Sequence, residues 1–341
     1  MSSNISIRPN RITITPKRAV KTCHSILDAK IDAYERSLTK QRYEENFSVE
    51  RNSFIISKAS KRKIFDSINF LYTLSKPKQV AMKNGGFIYN HRASFITLTL
   101  PSVQAHSDTQ IKKDCLNQLL VELRKYYDVN NYVWKAELQK NSNIHFHIIT
   151  DAYIDFQALR RRWNRILNKL NYVTNYQKKM QKLSFPEYHT MRNKISDVDY
   201  KKTSAAYKKG VGSNWSNPNS VDIKSISGAR ALGAYLAKYI AKDMDIDKID
   251  EATLTRGKSF GRIWSRSSSL CLFDKLGSVC SDEWQDVLHY MSKGFKEVTT
   301  IIGDYFKAHY FNLDNLPNEI SIPIYHFFLG MAKFRGYPLR T

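Results

Sequence analysis

The sequence predicts an α+β fold, a central antiparallel β-sheet flanked by helices, with mainly helical extensions at its N- and C-terminal ends. Three observations lead there. Residues 94–100 (Ser94-Phe95-Ile96-Thr97-Leu98-Thr99-Leu100) and Ile144–Thr150 show the period-two patterning of sheet strands. Segments 108–127, 155–170 and 227–243 instead place apolar residues three and four apart, the period of a helix. The polar run 139–143 is short enough to be a hairpin turn, which makes the strands on either side of it antiparallel.

Residues 1–22 are polar and basic, contain Pro9 and Pro16, and read as an arm that is disordered or ordered on contact. Ile26, Leu27, Ile31, Tyr34 and Leu38 suit an amphipathic helix over 24–47, and Ile64, Phe65, Ile68, Leu71 and Leu74 suit another over 60–74. Residues 1–90 are therefore an N-terminal arm with helices, closed by Pro77 and the pair Gly85-Gly86. A domain over 91–275 follows. It opens with a strand over 93–101 and a helix over 108–127 capped by Ser107 or Asp108, with Leu116, Leu119, Leu120 and Leu123 as its stripe. After the hairpin, helix 155–170 turns Trp163, Ile166 and Leu167 inward and is rich in Arg160, Arg161, Arg162 and Arg165.

Residues 171–219 are polar, weakly periodic and rich in Tyr and Lys, and read as an insertion. A structureless stretch of that length is commonly functional or disordered. It either tracks DNA or is a solvated excursion. A strand over 220–226 leads into the helix over 227–243, and 252–266 is basic and ends in Phe260-Gly261-Arg262-Ile263-Trp264-Ser265-Arg266. Residues 276–341 form a mainly helical extension, with helices expected near 282–291 and within 294–310 before a Pro-punctuated tail.

The hairpin carries the first chemistry. On strand Ile144–Thr150, His145 and His147 share one face, about 7 Å apart along the backbone. On Tyr132–Leu138 the residues Val133, Lys135 and Glu137 share a face. With 139–143 as the turn, Glu137 lies opposite His145, where facing Cβ atoms are about 4.5 to 5.5 Å apart. Two imidazoles and a carboxylate suit a divalent cation with positions left open for substrate. The bland reading is a pair of polar residues on a wet sheet face, and a register slip of one residue would remove Glu137 from the set.

Lys and Arg number 54 against 31 Asp and Glu, a formal net charge of +23, and 20 tyrosines accompany them. Such a field favours nucleic acid over a small neutral substrate, and aromatic rings between lysines suit stacking on unpaired bases. Cys23, Cys115, Cys271 and Cys280 have no metal-binding spacing and read as free thiols of a reducing cytosol. With no signal-peptide core and no apolar run of membrane-spanning length, the expectation is a cytoplasmic protein with no membrane partner.

On helix 227–243, Leu232, Leu236 and Ile240 make the buried stripe, and Tyr235, Lys238, Tyr239 and Lys242 share a neighbouring face. Phenols beside an ammonium can act as nucleophiles on a phosphodiester. Packing or base stacking is the alternative use of such a pair. A second pair, Tyr172 and Tyr176, has the same spacing but no comparable lysine.

In chain order, Phe95-Ile96-Thr97-Leu98-Thr99, His145-Phe146-His147 and Tyr235-Leu236-Ala237-Lys238-Tyr239 resemble the three motifs of the HUH endonucleases. Within that superfamily they resemble the two-tyrosine rolling-circle replication initiators of single-stranded DNA phages and related plasmids. The resemblance implies an RRM-like nuclease core, Mg²⁺ or Mn²⁺ on His145 and His147, and nicking of single-stranded origin DNA. It also implies a 5′-phosphotyrosine link through Tyr235 or Tyr239 and a free 3′-hydroxyl primer. The third ligand, Glu137, rests on the hairpin geometry. Lys242, Arg160, Arg161, Arg162, Arg262 and Arg266 are the basic residues expected to contact DNA.

No Gly-x-x-x-x-Gly-Lys-Ser/Thr occurs, since Ala252 stands where the first glycine would precede Gly257-Lys258-Ser259. Unwinding would fall to a host helicase, with a host polymerase and a single-strand-binding protein as further partners. A mobilisation relaxase or single-strand transposase would share the chemistry on another substrate. A non-catalytic DNA-binding regulator would explain the charge and leave the Glu137, His145 and His147 set without a purpose. A two-histidine, one-carboxylate oxygenase would explain the ligands and leave the charge unexplained.

Overall fold

The computed structural model describes residues 3–16, 56–75, 78–81, 87–91, 93–139, 141–194, 199–226, 256–257, 259–273, 298–303 and 306–334, with a few single positions besides. The expected helices over 24–47 and 227–243 lie outside the described residues, and so do Tyr235, Lys238, Tyr239 and Lys242. The chain divides into two compact units. One comprises Ser94–Val129 and Trp134–Ser225, and the other Met1–Ala93, Asn130–Val133 and Ile226–Thr341.

The second of these units begins with strands β1 (Ser3–Arg8) and β2 (Arg11–Pro16), helix α1 (Lys58–Leu74), and strands β3 (Lys78–Ala81) and β4 (Phe87–His91). Of the basic arm, expected to be disordered or ordered on contact, residues 3–16 form a hairpin. Ile5, Ile7, Ile12 and Ile14 alternate with polar residues, and the arm's sheet partner is supplied by the far end of the chain. Its four-stranded sheet has the order β1-β2-β11-β10, where β10 is Val298–Gly303 and β11 is Phe306–Phe311. A hairpin therefore replaces the helix expected within 294–310, because Val298, Thr299, Thr300, Ile301 and Ile302 are β-branched in succession and favour the extended chain. Asp66 of α1 faces Arg8 and Arg11 at 3.9 and 3.6 Å. Helix α7 (Asn318–Phe334) takes in the Pro-punctuated tail and buries Ile320, Ile324, Phe328 and Ala332, with Phe328 edge-on to Phe70 of α1 at 5.5 Å.

The other unit holds the hairpin. After β5 (Ala93–Leu98) the chain enters α2, made of Asp108–Gln110, the π-wound Ile111–Leu116 and Asn117–Tyr127, and Ser107 caps it by accepting from Gln110 N. Strands β6 (Tyr132–Leu138) and β7 (Ile144–Thr150) follow, then α3 (Phe156–Asn168), capped by Asp155. Strand β8 (Val221–Ile226) completes the walk to the sheet, whose order is β8-β5-β7-β6-β9 with β9 at Trp264–Arg266. The unit division passes through β6, and β9 is grouped with Tyr132 and Val133, the first residues of that strand. β5 and β7 are antiparallel with Thr97 opposite His147. Gln139 N donates to Asn143 O at 2.8 Å, closing the turn in the register that sets Glu137 opposite His145. On the far face Phe146 is fully buried and edge-on to Trp134 and Trp163, each at 6.4 Å. The Trp163 indole N–H donates to Thr99 O at 3.0 Å, which ties α3 to the residue that follows β5.

The insertion is helical: α4 (Tyr172–Gln181), α5 (Phe185–Asn193) and α6 (Tyr200–Gly212). They pack on Met180, Tyr188 and Trp215, with Tyr176, Leu183, Met191 and Tyr207 against that centre. The apolar contacts are shared among three helices, none of which carries a continuous apolar stripe, so the sequence looks irregular there. Among the described residues no helix is long and apolar enough to cross a membrane.

Candidate metal centre

Glu137 reaches its place because the turn of the hairpin is held from below. Asn143 Nδ2 donates to Ser102 O, Gln104 N donates to Asn143 Oδ1, and Ile144 N donates to Gln104 Oε1 at 2.7 Å. The start of β7 is thereby pinned, and the Gln139–Asn143 bond across the turn fixes the register that a slip could have changed. The Nε2 atoms of His145 and His147 lie 2.7 and 2.8 Å from the same oxygen, Glu137 Oε1. The two rings are 4.5 Å apart and nearly perpendicular.

Three further residues complete the surroundings. Thr97 Oγ1 is 3.1 Å from His147 Nδ1, and Phe95 stacks on the His147 ring at 5.3 Å. Lys135 Nζ lies 3.4 Å from Glu137 Oε2. Burial pushes the His147 imidazole below its ordinary value, with the Glu137 hydrogen bond acting against that. Burial would raise the Glu137 carboxyl, but hydrogen bonds from His145 and His147 and the nearby charges of His147 and Lys135 hold it well below the usual carboxylate range. A deprotonated carboxylate and a buried imidazole that resists protonation are the forms a metal ion needs.

The ligand atoms of Glu137, His145 and His147 all lie within 4.8 Å of one another. The set fits a divalent ion: three ligands of mixed nitrogen and oxygen type, a neighbour fixing one imidazole, and coordination positions left over. His145 Nδ1 is buried and has no hydrogen-bond partner among the described residues.

Residues 93–244 match the family model of the replication-associated protein ORF2. That span contains the whole metal cluster and covers less than half of the chain. It supports a Rep-like, replication-associated protein that binds DNA. No curated protein and no solved structure matches the chain.

Within the matched span, the arginines expected to meet DNA have varied surroundings. Arg160 donates through Nε to Pro218 O at 2.8 Å and through its other end to Asn217 O, pinning the close of the insertion. Arg162 and Arg165 both hold the Glu122 carboxylate of α2, while Arg161 is exposed. Beyond it, Arg262 is exposed and Arg266 donates to Ser67 Oγ at 2.7 Å. Tyr172, whose spacing from Tyr176 equals that of Tyr235 and Tyr239, is buried and accepts at its hydroxyl from Ala105 N and His106 N. It latches the 102–106 loop. The sequence places Lys135 on the face of Glu137 and Thr97 in the first motif segment, and gives neither a role at the site. Their alternation on the strands carried the signal, but the β5–β7 pairing that brings Thr97 to His147 is a long-range contact.

Proposed function

We propose that the chain is a rolling-circle replication initiator that nicks single-stranded origin DNA by tyrosine attack and later rejoins the strands. The observation that carries this reading is the convergence of Glu137, His145 and His147 inside a span that matches a replication-associated family. Mg²⁺ or Mn²⁺ bound there would polarise the scissile phosphate and stabilise the charge that develops on it. Thr97 holds the His147 ring, and Lys135 holds the outer oxygen of Glu137.

The phenol oxygen of Tyr235 or Tyr239 forms the new bond to phosphorus as the bond to the 3′ oxygen breaks. The phenol proton ends on that leaving oxygen. The products are a 5′-phosphotyrosine and a free 3′-hydroxyl, and because one phosphodiester replaces another the exchange can run back to close a circle. Lys238 stabilises the phenolate, and Lys242 with the exposed Arg161 and Arg262 holds the strand. A host helicase, polymerase and single-strand-binding protein act on the opened origin.

The test incubates the protein with single-stranded origin DNA and Mn²⁺ and looks for a covalent adduct that EDTA abolishes. The double substitution Tyr235→Phe, Tyr239→Phe is expected to remove the adduct, and an adduct that persists refutes the nucleophile assignment. His145→Ala, His147→Ala protein is expected to lose nicking, and full-rate nicking would sink the metal assignment.

A further inference from the structure

The insertion was legible as a Tyr- and Lys-rich stretch, and its fold separates the two residue types. Tyr188 and Trp215 are buried, and Tyr207 turns inward to donate its hydroxyl to Leu183 O at 2.8 Å. Tyr200 is largely exposed but leans on the rings of Phe185 and His189, each 5.3 Å away. The aromatic surface therefore goes mainly to holding three helices together. Lys178, Lys179, Lys182, Lys201, Lys202, Lys208 and Lys209 are left outward.

Helix α6 shows this most clearly. Thr203, Tyr207 and Gly210 face the module's core. Lys201 and Lys208 lie about two turns apart, as do Lys202 and Lys209, so the four make two adjacent rows on the side away from that core. All four are exposed, and none forms an ion pair among the described residues. Only the small Ala205 and Gly212 lie between the rows, which leaves the face open to close approach.

Among the described residues, the carboxylates at the starts of α5 and α6 are otherwise engaged. Asp199 caps α6 by accepting from Lys202 N, and Glu187 accepts from Ser184 N and Oγ at the start of α5. Lys201 and Lys202 moreover sit in the first turn of α6, which has no acidic residue, where positive charge opposes the helix dipole. A polyanion laid across these rows offsets that unfavourable placement.

We propose that this face of the insertion holds the phosphodiester backbone of DNA, independently of base sequence. The inference rests on the initiator reading and deepens it. The module grips the strand by charge, while the nicking chemistry belongs to other residues. Ammonium groups on flexible stems recognise phosphate without reading base edges.

The test compares full-length protein with the variant Lys201→Gln, Lys202→Gln, Lys208→Gln, Lys209→Gln. DNA affinity is measured by fluorescence anisotropy across a NaCl series, on origin and scrambled oligonucleotides, each single-stranded and duplex. Each lost phosphate contact lowers the slope of log K against log salt by about 0.9 on duplex and about 0.7 on a single strand, so four lost contacts lower it by about 3.6 on duplex or about 2.8 on a single strand. The fall is expected to be equal on origin and scrambled sequence, and the form of DNA held is the one whose fall reaches its own four-contact value. The matching Lys→Arg variant is expected to keep the original slope, and Mn²⁺ affinity to stay unchanged in both. An unchanged slope on every oligonucleotide, or a loss confined to origin sequence, overturns the proposal. A wild-type protein that forms no tyrosine adduct, yet shows the slope change, would overturn the initiator reading and leave the phosphate-binding face standing.

Discussion

Replacing Thr97 by Val probes the candidate metal centre at a residue that does not ligate. Valine keeps the shape of threonine and removes only the hydroxyl. That hydroxyl is 3.1 Å from His147 Nδ1, on a strand paired so that Thr97 directly faces His147. A hydroxyl both donates and accepts, so it serves either imidazole tautomer. With His147 Nε2 directed to a metal, Nδ1 carries the proton and donates to Thr97 Oγ1. His147 is only 6% exposed, so the valine variant leaves that N–H without water as a substitute. Loss of such an orienting partner weakens metal binding by about 10- to 100-fold. That corresponds to about 1.4 to 2.7 kcal/mol at about 1.4 kcal/mol per decade. Isothermal titration with Mn²⁺ at neutral pH reads the constant directly, far-UV circular dichroism checks the fold, and Thr97→Ser is expected to restore most of the affinity. An affinity for the valine variant within twofold of wild type, with the fold intact, would refute the reasoning.

Two predictions concern the scaffold. Glu122 is a buried carboxylate between Arg162 and Arg165. Burial alone would raise it, but hydrogen bonds from Arg165, Gln118 and Arg162 lower it to about 2. Because its folded value lies below the ordinary 4.5, its stabilisation is full above that value and disappears as pH falls from about 4.5 towards about 2. Glu122→Gln is expected to lose about 1.5 to 3 kcal/mol at neutral pH and to flatten the acid limb of a thermal-melt series, and an unchanged limb would remove Glu122 from the account. Gly210→Ala would bring a Cβ to 2.2 Å from the Trp215 ring, so that ring must move and the insertion's core open. About 1 to 3 kcal/mol of destabilisation is expected, read as faster protease cleavage within 172–215, and wild-type resistance would refute the packing described.

The hairpin was legible because its information is local. Period-two alternation, a polar turn and one closing register place Glu137 opposite His145 without any knowledge of the rest of the chain, and the 2.7 Å contact agrees. Capped, amphipathic helices were legible for the same reason, as Asp155 and Ser107 show by accepting from Ala158 N and Gln110 N. The terminal segments were not. β2 finds its partner in β11, almost three hundred positions later, with Ile12 opposite His309, and nothing within residues 1–22 encodes that pairing.

By itself, then, the sequence determined the two histidines and the carboxylate on one hairpin, the strong positive charge and the three motif segments in their order. These depend on residue type and short-range periodicity. Tertiary structure alone decided that Thr97 backs His147, that Glu122 gathers Arg162 and Arg165, and that Tyr176, Tyr188, Tyr207 and Trp215 of the insertion turn inward while the lysines of α6 stay out. Each of those outcomes is set by which strand or helix arrives opposite another. Such arrival is governed by packing between distant segments, which leaves no periodic trace along the chain.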